Sequence, residues 1–508
     1  HRSEFAALLE QLGWIKRGPL ENGILVYENP SAVLPAPSMP SKTTPFSSFS
    51  WGAFPLLALV TSVTLGALKV YPADAKRVIE RVYAVVIFLI PISICFWYFR
   101  TVFEFPHPRV YFLYTDAVFF LTDALVLLAV ILWASTKLSP SADLLYHRAD
   151  FRLSLVSSLP TALVFLASLS VIWSYDWRIS LFVSLHFWLA LLFIFSLREW
   201  RSAWQMAMVG LCFALSIEFV AGFVGVGLQS TEFLQPLNVE WPGVLESSTR
   251  GASVVQIPNG LRILRAYGTL PHPNILGGFA LLALLGPVSL FFLQKKTNYF
   301  LPIVFAFGIV LIVLTFSRSA WLGLIAFLGV LILKAAHLGY RRLYLVIAVS
   351  ILTIALTVYP LRELIFTRIS NAPVATEQLS TFGRRWLNEQ AFKMFSAFPL
   401  GGVGIGSFIL RLSSDAVDGA MIEPVHGIPL LVGTELGFLG LLLLVGLAIV
   451  VALSVLKANT PKSILAGAMI AGLGVTGLFD HYLWTLAPGR IMFALAFGLW
   501  LGQIHHDA

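Results

Sequence analysis

Apolar runs long enough to cross a bilayer follow one another along most of the chain, and they leave few folds open. About 20 apolar residues in a helix span the hydrocarbon core, and lipid requires every backbone polar group to be satisfied within the spanning element. Thirteen runs are read, near 51–70, 82–99, 117–135, 155–174, 179–196, 204–228, 273–293, 299–316, 320–335, 343–360, 427–455, 463–479 and 488–503. His186 interrupts the fifth, and 320–335 is short. The predicted fold class is an all-α polytopic membrane protein. Composition agrees, because only 12% of the 508 residues are charged, against roughly 25% in soluble domains. The net charge of +8 then concerns orientation in a membrane and gives no argument for nucleic acid. Cys95 and Cys212 both lie in apolar runs and read as packing residues.

The basic residues set the orientation. Lys69, Lys76, Arg77 and Arg81 follow the first run, and Lys137, Arg148 and Arg152 the third. Arg198 and Arg201, Lys295 and Lys296, then Lys334, Arg341 and Arg342, and finally Lys457 and Lys462 continue the series. Every cluster falls on one side of a thirteen-span count, which the positive-inside rule makes cytoplasmic. The N-terminus and the polar stretches 229–272 and 361–426 are then expected on the extracytoplasmic face, and the C-terminus inside.

Two parts are expected. Residues 1–50 form an extracytoplasmic segment and linker that reads as the end of a larger domain, and 51–508 form the transmembrane domain. Gly23-Ile-Leu-Val-Tyr-Glu-Asn-Pro-Ser-Ala32 reads as a strand entering a turn, followed by a Pro/Ser-rich linker. Over about ten residues this run resembles the end of the extracytoplasmic domain of YfhO-type membrane glycosyltransferases.

The insert 361–426 is too long for an ordinary connector and reads as a catalytic cap. Gly383–Phe395 has the spacing of an amphipathic helix, with Phe392 and Phe395 as apolar contacts and Trp386 on a neighbouring face. Arg384 and Arg385 at its start either grip a pyrophosphate through bidentate bonds or rest on anionic headgroups. Pro399-Leu-Gly-Gly-Val-Gly-Ile-Gly-Ser-Phe408 lacks the Lys-Ser/Thr of a phosphate-binding loop and reads as a turn that lets backbone come close. His426, at the mouth of the next run, reads either as a structural interfacial histidine or as a general base, the second favoured by its place at the exit of the polar insert and by Glu435 on the same span. Upstream, Pro273 suits a first helical turn, with His272 at its cap and Gly268 just before. Arg265 then stands at the outer boundary, either beside a lipid pyrophosphate or as a snorkelling helix-end arginine. Arg318, in the short turn Thr315–Trp321, either pairs with an acid or phosphate or holds the hairpin. No Asp-x-Asp motif and no His/Cys cluster of metal-ligand spacing occurs in the outer loops, so no metal or other cofactor is expected.

Taken in order, these motifs resemble the O-antigen ligase and O-antigen polymerase superfamily, from about residue 155 to 503. They are Arg265 with Gly268–Asn274, Thr315-Phe-Ser-Arg-Ser-Ala-Trp321, Arg384 with Phe398–Phe408, and His426 with Gly433-Thr-Glu-Leu-Gly-Phe-Leu-Gly440. The resemblance implies a GT-C-like inverting glycosyltransferase of the cytoplasmic membrane that works without metal. Its donor would be a polyprenyl-pyrophosphate-linked glycan and its acceptor a hydroxyl on a lipid- or glycan-linked partner. Arg265 and Arg384, with Arg385 and Arg318 as further candidates, would bind pyrophosphate, and His426 would activate the acceptor. Gly427 departs from the Asn that the family often places there. Ligase and polymerase are not separated by the sequence. Asp116, Asp123, His186 and Glu218, in or near apolar runs, carry the alternative of a transporter, and a non-catalytic assembly subunit is a third reading.

Overall fold

A computed structural model describes residues 15–19, 25–28, 72–105, 107, 110–137, 151–237, 252–257, 262–294, 298–370, 374–415 and 422–507. Strands β1 (Ile15–Pro19) and β2 (Leu25–Glu28) pair antiparallel, and β2 falls in the stretch read as a strand. The linker after it and the predicted run 51–70 lie outside the described residues.

From there the chain is helical. In order come α1 (Pro72–Phe96), strands β3 (Phe99–Phe103) and β4 (Ala117–Phe120), α2 (Leu121–Lys137), α3 (Phe151–Leu169), α4 (Trp177–Glu199) and α5 (Arg201–Leu228). A small hairpin, β5 (Val254–Gln256) and β6 (Arg262–Leu264), precedes α6 (Pro273–Ala283), α7 (Leu285–Leu293), α8 (Phe300–Leu314), α9 (Arg318–Leu338) and α10 (Arg341–Val358). The polar insert folds into α11 (Arg362–Ile369), α12 (Ala375–Ala397) and α13 (Phe408–Asp415). The chain closes with α14 (Ile428–Lys457), α15 (Pro461–Phe479), the single turn α16 (Tyr482–Thr485) and α17 (Ala487–Asp507).

Among the described residues, ten helical segments are long and apolar enough to cross a membrane, α6 and α7 counting as one. The shorter α2 and α8, of 17 and 15 residues, fall on two more of the predicted runs. The protein is an all-α polytopic membrane protein carrying small hairpins. One predicted run needs correction: 117–135 does not begin as helix. Its first residues form β4 against β3, and the helix starts at Leu121, where Asp123 Oδ2 accepts the Phe120 N–H at 2.8 Å. That carboxylate takes up a donor which the new helix leaves unpaired.

Helices α6 and α7 lie at the centre, 89% buried over their apolar window, whereas α10 and α14 are 17% buried and face outward. Close crossings depend on small residues. A Cβ on Gly323 of α9 would stand 2.8 Å from the Gly472 carbonyl of α15. At one end of the bundle basic side chains tie helix ends together. Arg342 donates to the carbonyls of Phe291, Phe292 and Gln294, and Lys334 donates to the Leu456 carbonyl at the end of α14. Cations there meet the negative ends of the helix dipoles. The loops before α6, before α9, before α14 and after α15 are all at the other end.

Candidate active site

The Gly-rich run from Pro399 to Ser407 fastens that second end. Helix α14 is broken at Gly437, whose backbone is left-handed in φ at +68°. The freed groups pair with the run: Val403 N–H donates to Thr434 O, Gly404 N–H to Glu435 O, and Phe438 N–H to Pro399 O. A Cβ at Gly402 would lie 2.4 Å from the Glu435 backbone, and one at Gly437 2.1 Å from the Leu400 carbonyl. On its far side the run meets the turn between α3 and α4. Ser180 Oγ donates to Ile405 O at 2.6 Å, and Ile405 N–H donates to Ser170 Oγ at 3.0 Å. Backbone approach to neighbouring helices therefore accounts for these glycines.

A second fixed wall is the segment from Arg265 to Asn274. Glu218 of α5 accepts the backbone N–H of Thr269 at 2.8 Å and its hydroxyl at 2.5 Å. Gly268, at φ +59°, is required because a Cβ would fall 2.0 Å from the Glu218 carboxylate. His272 caps α6 by accepting the Asn274 N–H on Nδ1, with Pro273 in the first turn. Arg265 is buried and spends three donors on the protein: Nε to Thr315 O at 2.6 Å, Nη1 to Ser253 Oγ at 2.7 Å and Nη2 to Asn274 Oδ1 at 2.6 Å. Asn274 hands the link on, its Nδ2 donating to Asp480 Oδ2 at 2.7 Å.

Asp480 and His481, between α15 and α16, meet His426 there. One ligand-type atom from each of the three residues lies within 4.8 Å of the others. Asp480 Oδ1 accepts the His481 N–H, and His481 Nδ1 pairs with Thr485 Oγ1 at 2.8 Å. His426 Nδ1 has no partner among the described residues. Burial pushes His426 down to about 4 against the opposing pull of Asp480, and burial likewise holds His481 at about 4. The His426 imidazole is therefore neutral near pH 7 and able to take a proton.

The arginines separate into different roles. Arg384 is on the inward face of α12 with buried Leu387 and Ala391, and its buried Nε has no partner among the described residues. Arg385 turns outward, 66% exposed, and lies 3.5 Å from Glu389 one turn on. Phe392 shares that outward face and is exposed, which corrects its expected role. The 3.6-residue period places Leu387, Ala391 and Met394 inward instead. Arg318 stands 3.6 Å from Glu377 Oε2. Arg368 pairs with the same carboxylate and donates Nε and Nη2 to the Phe316 carbonyl. Phe316 is itself in the left-handed region at φ +48°.

Four guanidinium groups thus gather around three carboxyls, those of Glu377, Glu423 and Asp480. Burial raises two of them, Glu423 and Asp480, although Arg384 opposes it in both. The balance favours an incoming anion. Sequence reading missed Asp480, His481, Arg368 and Glu377. It also missed that His426, Asp480 and His481 offer donors of the types that hold a divalent cation.

Residues 303–445 match the family described as O-antigen ligase. Over that stretch the chain is similar to O-antigen ligases. No curated protein matches the chain. The matched ligase stretch includes Arg318, Arg384, Arg385 and His426, while Arg265 and Asn274 precede it and Asp480 and His481 follow it. The match places this multi-pass membrane protein among glycosyltransferase-like enzymes of the O-antigen ligase and polymerase type, which act on lipid-linked glycans.

Proposed function

We propose that the protein transfers a glycan from a polyprenyl pyrophosphate to an acceptor hydroxyl, with inversion and without metal, at the outer face of the cytoplasmic membrane. The observation that carries this reading is His426: a neutral imidazole with an unpartnered Nδ1, set beside Asp480 and near the Arg384 guanidinium. The acceptor oxygen attacks the anomeric carbon, the bond from that carbon to the pyrophosphate oxygen breaks, and His426 receives the hydroxyl proton. Asp480 steadies the imidazolium that results. Arg384, supported by the Arg318–Arg368–Glu377 group, offsets the charge on the departing pyrophosphate. The outer-face assignment is supported by the basic residues that gather at the opposite end of the bundle. Residues 1–50 and 51–508 remain our proposed division of the chain.

The transporter alternative loses support from local bonding. Asp116 accepts the Phe105 N–H, Asp123 that of Phe120 and Glu218 that of Thr269, so these three carboxyls have structural partners; buried His186, 3.6 Å from Asp123, has neither ring nitrogen hydrogen-bonded among the described residues and is what remains of that alternative. The test is release of polyprenyl pyrophosphate from a lipid-linked oligosaccharide by the full chain in lipid discs, with a glycan acceptor and EDTA. Acceptor-dependent release supports the reading, and product length separates ligation from polymerisation. Release only after a divalent cation is restored would assign the His426–Asp480–His481 cluster to a metal and overturn the metal-free mechanism.

A further inference from the structure

The two parts of α14 meet different surroundings, and the change falls at its break. At 1.5 Å per residue the 30-residue helix is about 45 Å long, more than the roughly 30 Å of the hydrocarbon core. A crossing of about 20 residues, counted back from Lys457, ends beside Gly437. Burial changes there too: Leu431 to Gly437 are all buried, whereas Phe438, Leu439 and Leu442 are exposed. Two other spans give boundaries on the same side of the bundle. Helix α10, 18 residues long, runs from Arg341 at the basic end to Val358. Helix α4, traced back from Arg198, reaches the surface near Trp177.

Apolar tips of the polar insert stand at this boundary. Leu400 in the Gly-rich run is 74% exposed, and the bond from Phe438 N–H to Pro399 O holds it beside Gly437. Trp173 donates Nε1 to Gly401 O at 3.0 Å, which joins the run to exposed Ile172 and Trp177 in the turn between α3 and α4. Helix α11 follows directly on α10. It turns exposed Phe366 and Ile369 to one side and buries Leu364, Ile365 and Arg368 on the other. At its start the Arg362 guanidinium lies 5.0 Å from the centre of the exposed Tyr359 ring.

We propose that the polar insert docks on the bilayer leaflet nearest the candidate site, with Leu400, Phe366 and Ile369 immersed among its lipids. The occupant is phospholipid because the tips continue the outward-facing sides of α10 and α14. They are also rimmed by Trp173, Trp177, Tyr359 and Arg362, residue types that settle at the lipid–water interface. This docking goes beyond the transferase reading and holds whichever reaction the site performs. What it adds to the site is height. Arg368, on the inner side of α11, pairs with Glu377 among the gathered guanidinium groups, so the leaflet sets their level against lipid-borne phosphate.

Depth-dependent quenching on the full chain in lipid discs tests this. With Cys212→Ala as background, a bimane label is placed at Leu400→Cys or Phe366→Cys, and at Leu352→Cys of α10 as the deep reference. The discs contain phosphatidylcholine brominated either high on its acyl chain or near the chain end. Both insert labels should lose more fluorescence to the shallow bromines, and the reference label more to the deep ones. Photolabelling of the wild-type chain by a phospholipid with a diazirine near its headgroup needs no substitution. It should mark the peptides spanning 362–369 and 398–402. Quenching of either insert label by aqueous iodide in place of bromolipid would put that tip in water and overturn the docking. Protection from both quenchers, the sign of a covering protein, would overturn it too, as would photolabelled spans with neither insert peptide marked.

Discussion

The wall that carries Arg265 and the helix that carries Arg384 bring the same functional group to one site in opposite conditions. Arg265 is locked, with three bonds to Thr315, Ser253 and Asn274, and through Asn274 it fixes the Asp480 carboxylate. Arg384 rides on an amphipathic helix of the insert and leaves a buried donor unsatisfied. The difference teaches that a guanidinium can serve a reaction from either side of preorganisation, by setting the geometry of other groups or by waiting for the ligand itself.

Substitutions can break that comparison. His426→Ala, which removes the group both walls converge on, should lower kcat by roughly 10²–10⁴-fold with no change in thermal stability; normal turnover by folded protein would remove the base. Arg265→Ala should lose activity and stability together, because it strands three buried acceptors at about 1–3 kcal/mol each. Thermal unfolding in discs checks this, and an unaltered melting temperature would deny the locking role. Arg384→Ala should leave the melting temperature alone and raise the donor KM by roughly 10–100-fold, the loss of one or two charge-assisted bonds. Equal effects on fold and KM in both variants would erase the distinction.

A pH profile sharpens the same point. With His426 held at about 4 in the free protein, its basic form is present above that pH and lost below it. The acid limb of kcat/KM should therefore fall near pH 4 instead of near 6.5. Bound pyrophosphate favours the imidazolium, so the acid limb of kcat should lie at higher pH. Coincident limbs near 6.5 would mean a solvated histidine. The smallest effect belongs to Arg385→Ala, expected within about twofold of wild type in donor KM, since an exposed pair one turn apart contributes little.

Much of this was legible in the chain. The spans followed from hydropathy because lipid allows few alternatives to an apolar helix. Pro273 and His272 announced the start of α6. The inward and outward arginines were within reach too: Arg384 shares a helical face with Leu387 and Ala391, and Arg385 shares one with Glu389, so the periodicity of α12 separates them. Asp480 and His481 were harder, since they sit far along the chain from His426 and look like the polar end of an apolar run. The span count alone, however, puts them on the side of His426. The Arg265–Asn274–Asp480 link could not be read at all, because spacing carries no information about which side chains meet across a bundle.

The break at Gly437 has a consequence for how the protein is made. A span normally settles its own backbone hydrogen bonds and can enter the bilayer alone. The one beginning at Ile428 does not do so in its first turns, where Thr434, Glu435 and Phe438 find their partners on Pro399, Val403 and Gly404. Those partners emerge from the ribosome earlier than α14 does. The seating of this helix is therefore tied to that of the polar insert, and a glycine lost from either side of the joint should surface first as lower thermal stability.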